Sequence, residues 1–132
     1  MSKVVVFWSQ TGNTEAMANI LADAAGAECV EWSDFSADSV ESFDALAFGC
    51  PAMGDEELDP DFADLWEDCK DKLAGKPVVL FGSYDWGTGD WMVSWKEDAE
   101  AAGVDVVATV IANLEPDGEA EAALKEAATK LA

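Results

Sequence analysis

Short apolar blocks alternate with amphipathic stretches of helical period along the whole chain, and this alternation limits the possible folds to a few. Residues 4–8 (Val-Val-Val-Phe-Trp) form a continuous apolar run, the pattern of a strand covered on both faces. Blocks at 28–32, 45–49, 78–81 and 104–110 predict four more strands. Between them, 15–25 sets Met17, Ile20, Leu21 and Ala24 at helical spacing. The stretch 61–73 puts Phe62, Leu65, Trp66, Cys69 and Leu73 on one face and Asp64, Glu67, Asp68 and Asp71 on the other. Further helices are predicted over 90–102 and 119–131, whereas the stretch between Trp32 and Asp44 carries only a weak helical signal around Val40. Strand–helix alternation with right-handed crossovers gives an α/β fold: a three-layer, doubly wound, five-stranded parallel sheet. Its size suits one domain over 1–132.

The charge excludes whole classes of function. There are 28 acidic residues against seven lysines, a net charge of −21, with no arginine and no histidine. Such a chain is a poor ligand for nucleic acid or an anionic membrane. The lack of histidine removes any His-based triad or metal ligand. Macromolecular partners should present basic surfaces. Cys29, Cys50 and Cys69 form no Cys-x-x-Cys pair and read as buried free thiols of a reducing compartment. The N-terminus lacks the apolar core of a signal peptide, so a cytoplasmic location is expected.

Ligands of doubly wound sheets bind beyond the carboxyl ends of the strands, so the loops after strands one, three and four carry the information. Ser9, Gln10, Thr11, Gly12, Asn13 and Thr14 follow the first strand and open the first helix. They offer three hydroxyls, amide side chains and backbone N–H groups where helix geometry favours an anion. No cation stands among them, and neither Gly-x-x-x-x-Gly-Lys-[Ser/Thr] nor Gly-x-Gly-x-x-Gly occurs. The loop therefore suits a terminal monophosphate held by neutral donors, or else is an ordinary polar helix cap. Met53 and Trp86 follow strands three and four and could cover the two faces of a flat heterocycle. Gly49, Gly54, Gly82, Gly87 and Gly89 crowd these loops, allowing positive φ and close approach of backbone to a ligand.

The run Val-Val-Phe-Trp-Ser-Gln-Thr-Gly-Asn-Thr at 5–14, followed by Ala18 and Leu21, resembles the N-terminal signature of flavodoxins. The likeness extends through Gly-Cys-Pro-Ala-Met-Gly-Asp-Glu at 49–56 and Phe-Gly-Ser-Tyr-Asp-Trp-Gly at 81–87, and the length is similar to that of the short-chain subgroup. The resemblance implies strand order 2-1-3-4-5 and non-covalently bound FMN. It implies a low-potential one-electron carrier cycling between quinone, semiquinone and hydroquinone, not an enzyme. It assigns cofactor binding to Ser9, Gln10, Thr11, Gly12, Asn13 and Thr14, to Pro51, Ala52, Met53, Gly54, Asp55 and Glu56, and to Ser83, Tyr84, Asp85, Trp86, Gly87 and Gly89. Within that set the Gly54–Asp55 peptide would rotate to offer its carbonyl to flavin N5–H, and the Glu56 carboxylate would accept from N3–H. Two positions depart from the family pattern. Asp85 replaces a glycine and either lowers the hydroquinone potential or points to water; Pro51 replaces a hydroxyl residue of some relatives. Asn113 is a loop cap or a ribityl contact.

Asp55, Glu56, Glu57, Asp59, Asp61, Asp85 and Asp90 cluster around the ring loops. A unit charge about 6 Å from an anionic hydroquinone, at an effective dielectric near 20, costs about 2–3 kcal/mol. That lowers the second potential by roughly 100 mV per close charge. The acidic run is equally a helix start, and both readings can hold. A hydride-transferring reductase is disfavoured because no cation awaits a second nucleotide, and a receiver domain because Ser9, Cys50 and Asn113 replace its acidic and lysine residues. The partners expected are reductases and oxidoreductases with basic docking surfaces, met by a monomer.

Overall fold

The computed structural model describes residues 2–10, 12–53, 57–85 and 87–131. Strands and helices alternate in the order β1 (Lys3–Phe7), α1 (Asn13–Ala25), β2 (Glu28–Glu31), β3 (Ala45–Gly49), α2 (Pro60–Lys70), β4 (Pro77–Tyr84), α3 (Asp90–Ala101), β5 (Asp105–Asn113) and α4 (Gly118–Thr129). All pairings are parallel, and the sheet order is β2-β1-β3-β4-β5. The inner apolar blocks become strands because helices cover both faces of the sheet, and β3, at the centre, is buried at every residue, whereas the edge strand β2 has no buried residue and β5 is mostly exposed or half-buried. Gly26, left-handed at φ +67°, ends α1. Asp59 starts α2 by accepting the Asp61 and Phe62 amides at 3.0 and 3.1 Å, with Pro60 in the first turn.

Two apolar clusters cover the two faces. On one side α1 and α4 bury Met17, Ala18, Leu21, Leu124 and Leu131 against Val5, Ala47 and Val79. On the other, α2 and α3 bury Phe62, Trp66, Trp91 and Trp95 against Val6, Phe48 and Leu80. Among the described residues no helix is long and apolar enough to cross a membrane.

The structure corrects several sequence expectations. The weak signal near Val40 is two short 3-10 turns, Trp32–Asp34 and Ala37–Ser42. Ser33, Asp34, Ser36, Asp38 and Ser39 are poor formers of a longer helix, and Phe35 and Val40 anchor the segment to the core. Ala24 is exposed and Ile20 and Leu65 only half-buried; the inward face of α1 is Thr14, Met17, Ala18, Leu21, Ala22 and Ala25. Strands four and five run on to Tyr84 and Asn113, because each supplies the other's partners up to the pair Tyr84–Asn113. Gly49 and Gly82 serve packing instead of ligand approach. A Cβ at Gly49 would overlap the Phe81 ring, and one at Gly82 would overlap the Cys50 carbonyl oxygen.

Candidate functional site

The loop after β1 is held by its own serine. Ser9 Oγ accepts the Gly12 and Glu15 amides at 3.1 and 3.3 Å, which leaves its hydroxyl proton to donate away from the loop. Gly12, the N-cap of α1, sits at φ +93°, a region open chiefly to glycine. Gly12 has no side chain to cap with, and Ser9 caps the first turn through the Glu15 amide; no described residue accepts from the Asn13 or Thr14 amide. Backbone donors at a helix start suit an oxyanion. The Thr14 hydroxyl is turned elsewhere: it is buried, 2.9 Å from Ser83 Oγ, and accepts the Ser83 amide at 3.3 Å. Thr14 and Ser83 thus tie the first turn of α1 to the end of β4.

The loop after β3 continues the sheet before leaving it. Cys50 and Ala52 donate their amides to the Phe81 and Ser83 carbonyls at 3.1 and 3.0 Å. Pro51 is buried, and Ala52 and Met53 are half-buried. Met53 and Glu57 exchange two backbone hydrogen bonds of 2.8 Å, so both ends of the segment between them are fixed. Behind this loop the Trp91 indole donates to the Cys50 carbonyl at 3.1 Å. Burial pushes the Cys50 thiol up to about 12, so it stays neutral at physiological pH.

Ser83 and Tyr84 are the last residues of β4 and not loop residues as the sequence suggests. Gly87 (φ +96°) and Gly89 (φ +91°) turn the chain into α3. Asn113 Nδ2 donates to the Tyr84 carbonyl at 3.2 Å and the Asp85 carbonyl at 3.4 Å, so its amide caps this turn. The Asp85 side chain is exposed.

The three loops meet in one cleft of about 400 Å³, counting its open side, lined from all three by Gln10, Asn13, Pro51, Ala52, Met53, Ser83, Tyr84 and Asp85. No lysine lines it. Thr11, Gly54, Asp55, Glu56 and Trp86 lie outside the described residues. Leu114, also on the wall, went unnoticed in the sequence; its place just past the end of β5, on the same sheet edge as the other loops, was the available signal.

A cation-free anion cradle beside a half-apolar cleft, both on the carboxyl edge of a doubly wound sheet, defines a class: carriers of a phosphorylated ring cofactor. The comparisons with known proteins narrow the class. The flavodoxin family model matches residues 5–129, and the chain belongs to that family. It is 47% identical over 133 residues to the flavodoxin of Megasphaera elsdenii, covering 96% of this chain and 97% of that one. It is 41% identical over 135 residues to that of Clostridium beijerinckii, covering 97% of each. The solution structure of two-electron reduced Megasphaera elsdenii flavodoxin superposes with a TM-score of 0.88 at 45% identity, over 97% of this chain and 98% of that one. The crystal structure of oxidised flavodoxin 1 from Bacillus cereus gives 0.85 at 26% identity, over 99% and 97%. As a flavodoxin the chain is an FMN-dependent one-electron carrier that serves partner proteins, not an enzyme.

Proposed function

We propose that the cleft is the FMN site, and that residues 1–132 act as one flavodoxin-like domain, monomeric and cytoplasmic, docking on basic surfaces of reductases and oxidoreductases. The start of α1, where no described residue accepts the Asn13 or Thr14 amide, beside a cleft whose described lining holds no lysine, carries this reading. These donors, with Gln10, Thr11, Gly12 and the Asn13 side chain, hold the phosphate; Thr14 braces the cradle through Ser83. Pro51, Ala52 and Met53 would hold the ring from one side of the cleft, and Ser83, Tyr84 and Asp85 from the other, with Trp86, Gly87 and Gly89 assigned to cofactor binding by the family resemblance alone. Gly54, Asp55 and Glu56, between the fixed ends at Met53 and Glu57, supply the groups that meet the ring's N5 and N3 edge. FMN, when bound, accepts and gives up electrons singly. The surrounding carboxylates, with Glu57 and Asp85 exposed, disfavour negative charge on the ring and so keep the carrier strongly reducing.

The test is titration of the apoprotein with FMN, following indole fluorescence and flavin absorbance. Stoichiometric quenching is expected, and Met53→Ala or Trp86→Ala should weaken it. Unquenched fluorescence at saturating FMN would overturn the assignment of the cleft.

A further inference from the structure

Among the described residues the exposed large hydrophobic side chains are Val93, Ile111 and Leu114, at 58%, 39% and 48% exposure. They belong to α3, to β5 and to the turn just past β5. Ile111 Cδ1 reaches over the start of α3, 2.9 Å from where a Cβ on Gly89 would stand. Val93 lies one turn further along α3, its amide donating to the Gly89 carbonyl at 3.4 Å, and it lines a groove with Thr109 of β5. Leu114 is three residues beyond Ile111, its amide fixed to the Tyr84 carbonyl at 2.8 Å, and its side chain is on the cleft wall. The three residues therefore reach from the α3/β5 groove to the wall of the cleft.

Leu114 adds an independent sign. It holds φ +60°, the one positive φ among described non-glycine residues. A Cβ makes that conformation unfavourable, and such strain concentrates at functional positions. Neither burial nor backbone preference accounts for a leucine there. The same turns and the start of α3 carry exposed acidic side chains: Asp85, Asp90, Glu115 and Asp117. Lys96, also on the groove, is offset by Glu100 at 4.0 Å. A second copy of a chain at −21 would be repelled from such a surface.

We infer that Val93, Ile111 and Leu114 are the apolar centre of a docking surface for redox proteins whose own contact face is apolar at its centre and ringed by lysine or arginine. The inference rests on the basic-partner reading above and specifies where that partner lands: on the β5 edge, beside the cleft. An exposed apolar patch inside a charged rim is the ordinary anatomy of a transient interface.

The test uses FMN-loaded protein and cytochrome c, a small basic haem protein, as the probe. One electron leaves the reduced flavin and converts ferric haem to ferrous. In the V93Q/I111T variant, whose positions lie outside the cleft, the second-order rate should fall about fivefold. The dependence of that rate on ionic strength should be unchanged, since no charge is altered, and so should the rate to the small acceptor ferricyanide. Adding Leu114→Asn should deepen the loss. An unaltered cytochrome rate with a normal salt dependence overturns the patch while leaving the basic-partner reading intact. A parent rate insensitive to salt overturns the basic-partner reading instead. A dimer in the parent sedimentation profile that the variant abolishes assigns the surface to self-association and overturns the inference.

Discussion

On the α1/α4 face of the sheet the buried side chains are mostly alanine, valine and leucine, whereas the α2/α3 face carries Phe35, Phe48, Phe62, Trp66, Trp91 and Trp95. Small residues let α1 and α4 lie close to the sheet and to each other, which fixes the start of α1 and its open amides. The aromatic face works through ring geometry and indole N–H groups. Phe48–Trp66, Trp66–Trp95 and Phe62–Trp95 meet edge to face with centroids 5.3, 5.6 and 5.7 Å apart. Trp91 holds the Cys50 carbonyl, and Trp66 donates to Asp98 at 2.9 Å. That indole bond, with Lys70 beside it, holds the Asp98 carboxyl below its usual range. One face thus positions the start of α1, and the other secures the loop after β3, the two places where the proposed site would hold phosphate and ring.

If the faces differ in this way, they should fail in opposite ways. The largest effect belongs to Trp66→Ala, which should cost about 3–5 kcal/mol in urea unfolding. A much smaller loss would mean that the aromatic face collapses around the gap. The alanine face should fail on enlargement: Ala18→Leu is expected to destabilise by about 1–3 kcal/mol. A neutral result would show that α1 is free to move off the sheet. At the seam between α1 and β4, Thr14→Val leaves the Ser83 amide without its acceptor; a loss of about 1–3 kcal/mol together with weaker FMN binding is expected. Thr14→Ser should restore both.

A further effect appears only in alkali. Cys50 and Cys69 belong to the aromatic cluster, and burial raises both thiols from 9.0 to about 12. The folded state keeps these protons after the unfolded chain has released them. Their contribution is complete below about 9 and is lost as the pH climbs towards 12. The urea midpoint should fall over that interval, and less steeply in a Cys50→Ala/Cys69→Ala double variant. Cys29, beside the alanine face and half-buried, is raised chiefly by burial and then by Glu15 and Asp23.

Residue pattern reached far into the fold. β3 falls at 45–49 as its apolar run predicts, and α3 begins at the predicted Asp90. Such elements are legible because burial on two faces, or on one helical stripe, leaves a local period. What depends on a neighbouring strand is not written locally. Gly82 and Ser83 look like a loop, yet β3 and β5 hold them in β4; Gly82 is glycine because the Cys50 carbonyl leaves no room. The Thr14 hydroxyl is indistinguishable in sequence from the other hydroxyls of its loop, and only the fold brings Ser83 to it. The left-handed Leu114 carries no sequence signal, since leucine is not a residue that marks such a turn.

No lysine stands among the described residues that line the cleft, so in the proposed site no cationic side chain would neutralise the phosphate. Binding FMN adds about two more negative charges to a chain already at −21. Phosphate sites built on lysine or arginine loosen as electrolyte is added; this one should tighten, because counter-ions mask the mutual repulsion of pigment and protein. Dialysis into dilute buffer should bleach the protein, and returning the electrolyte should restore its colour.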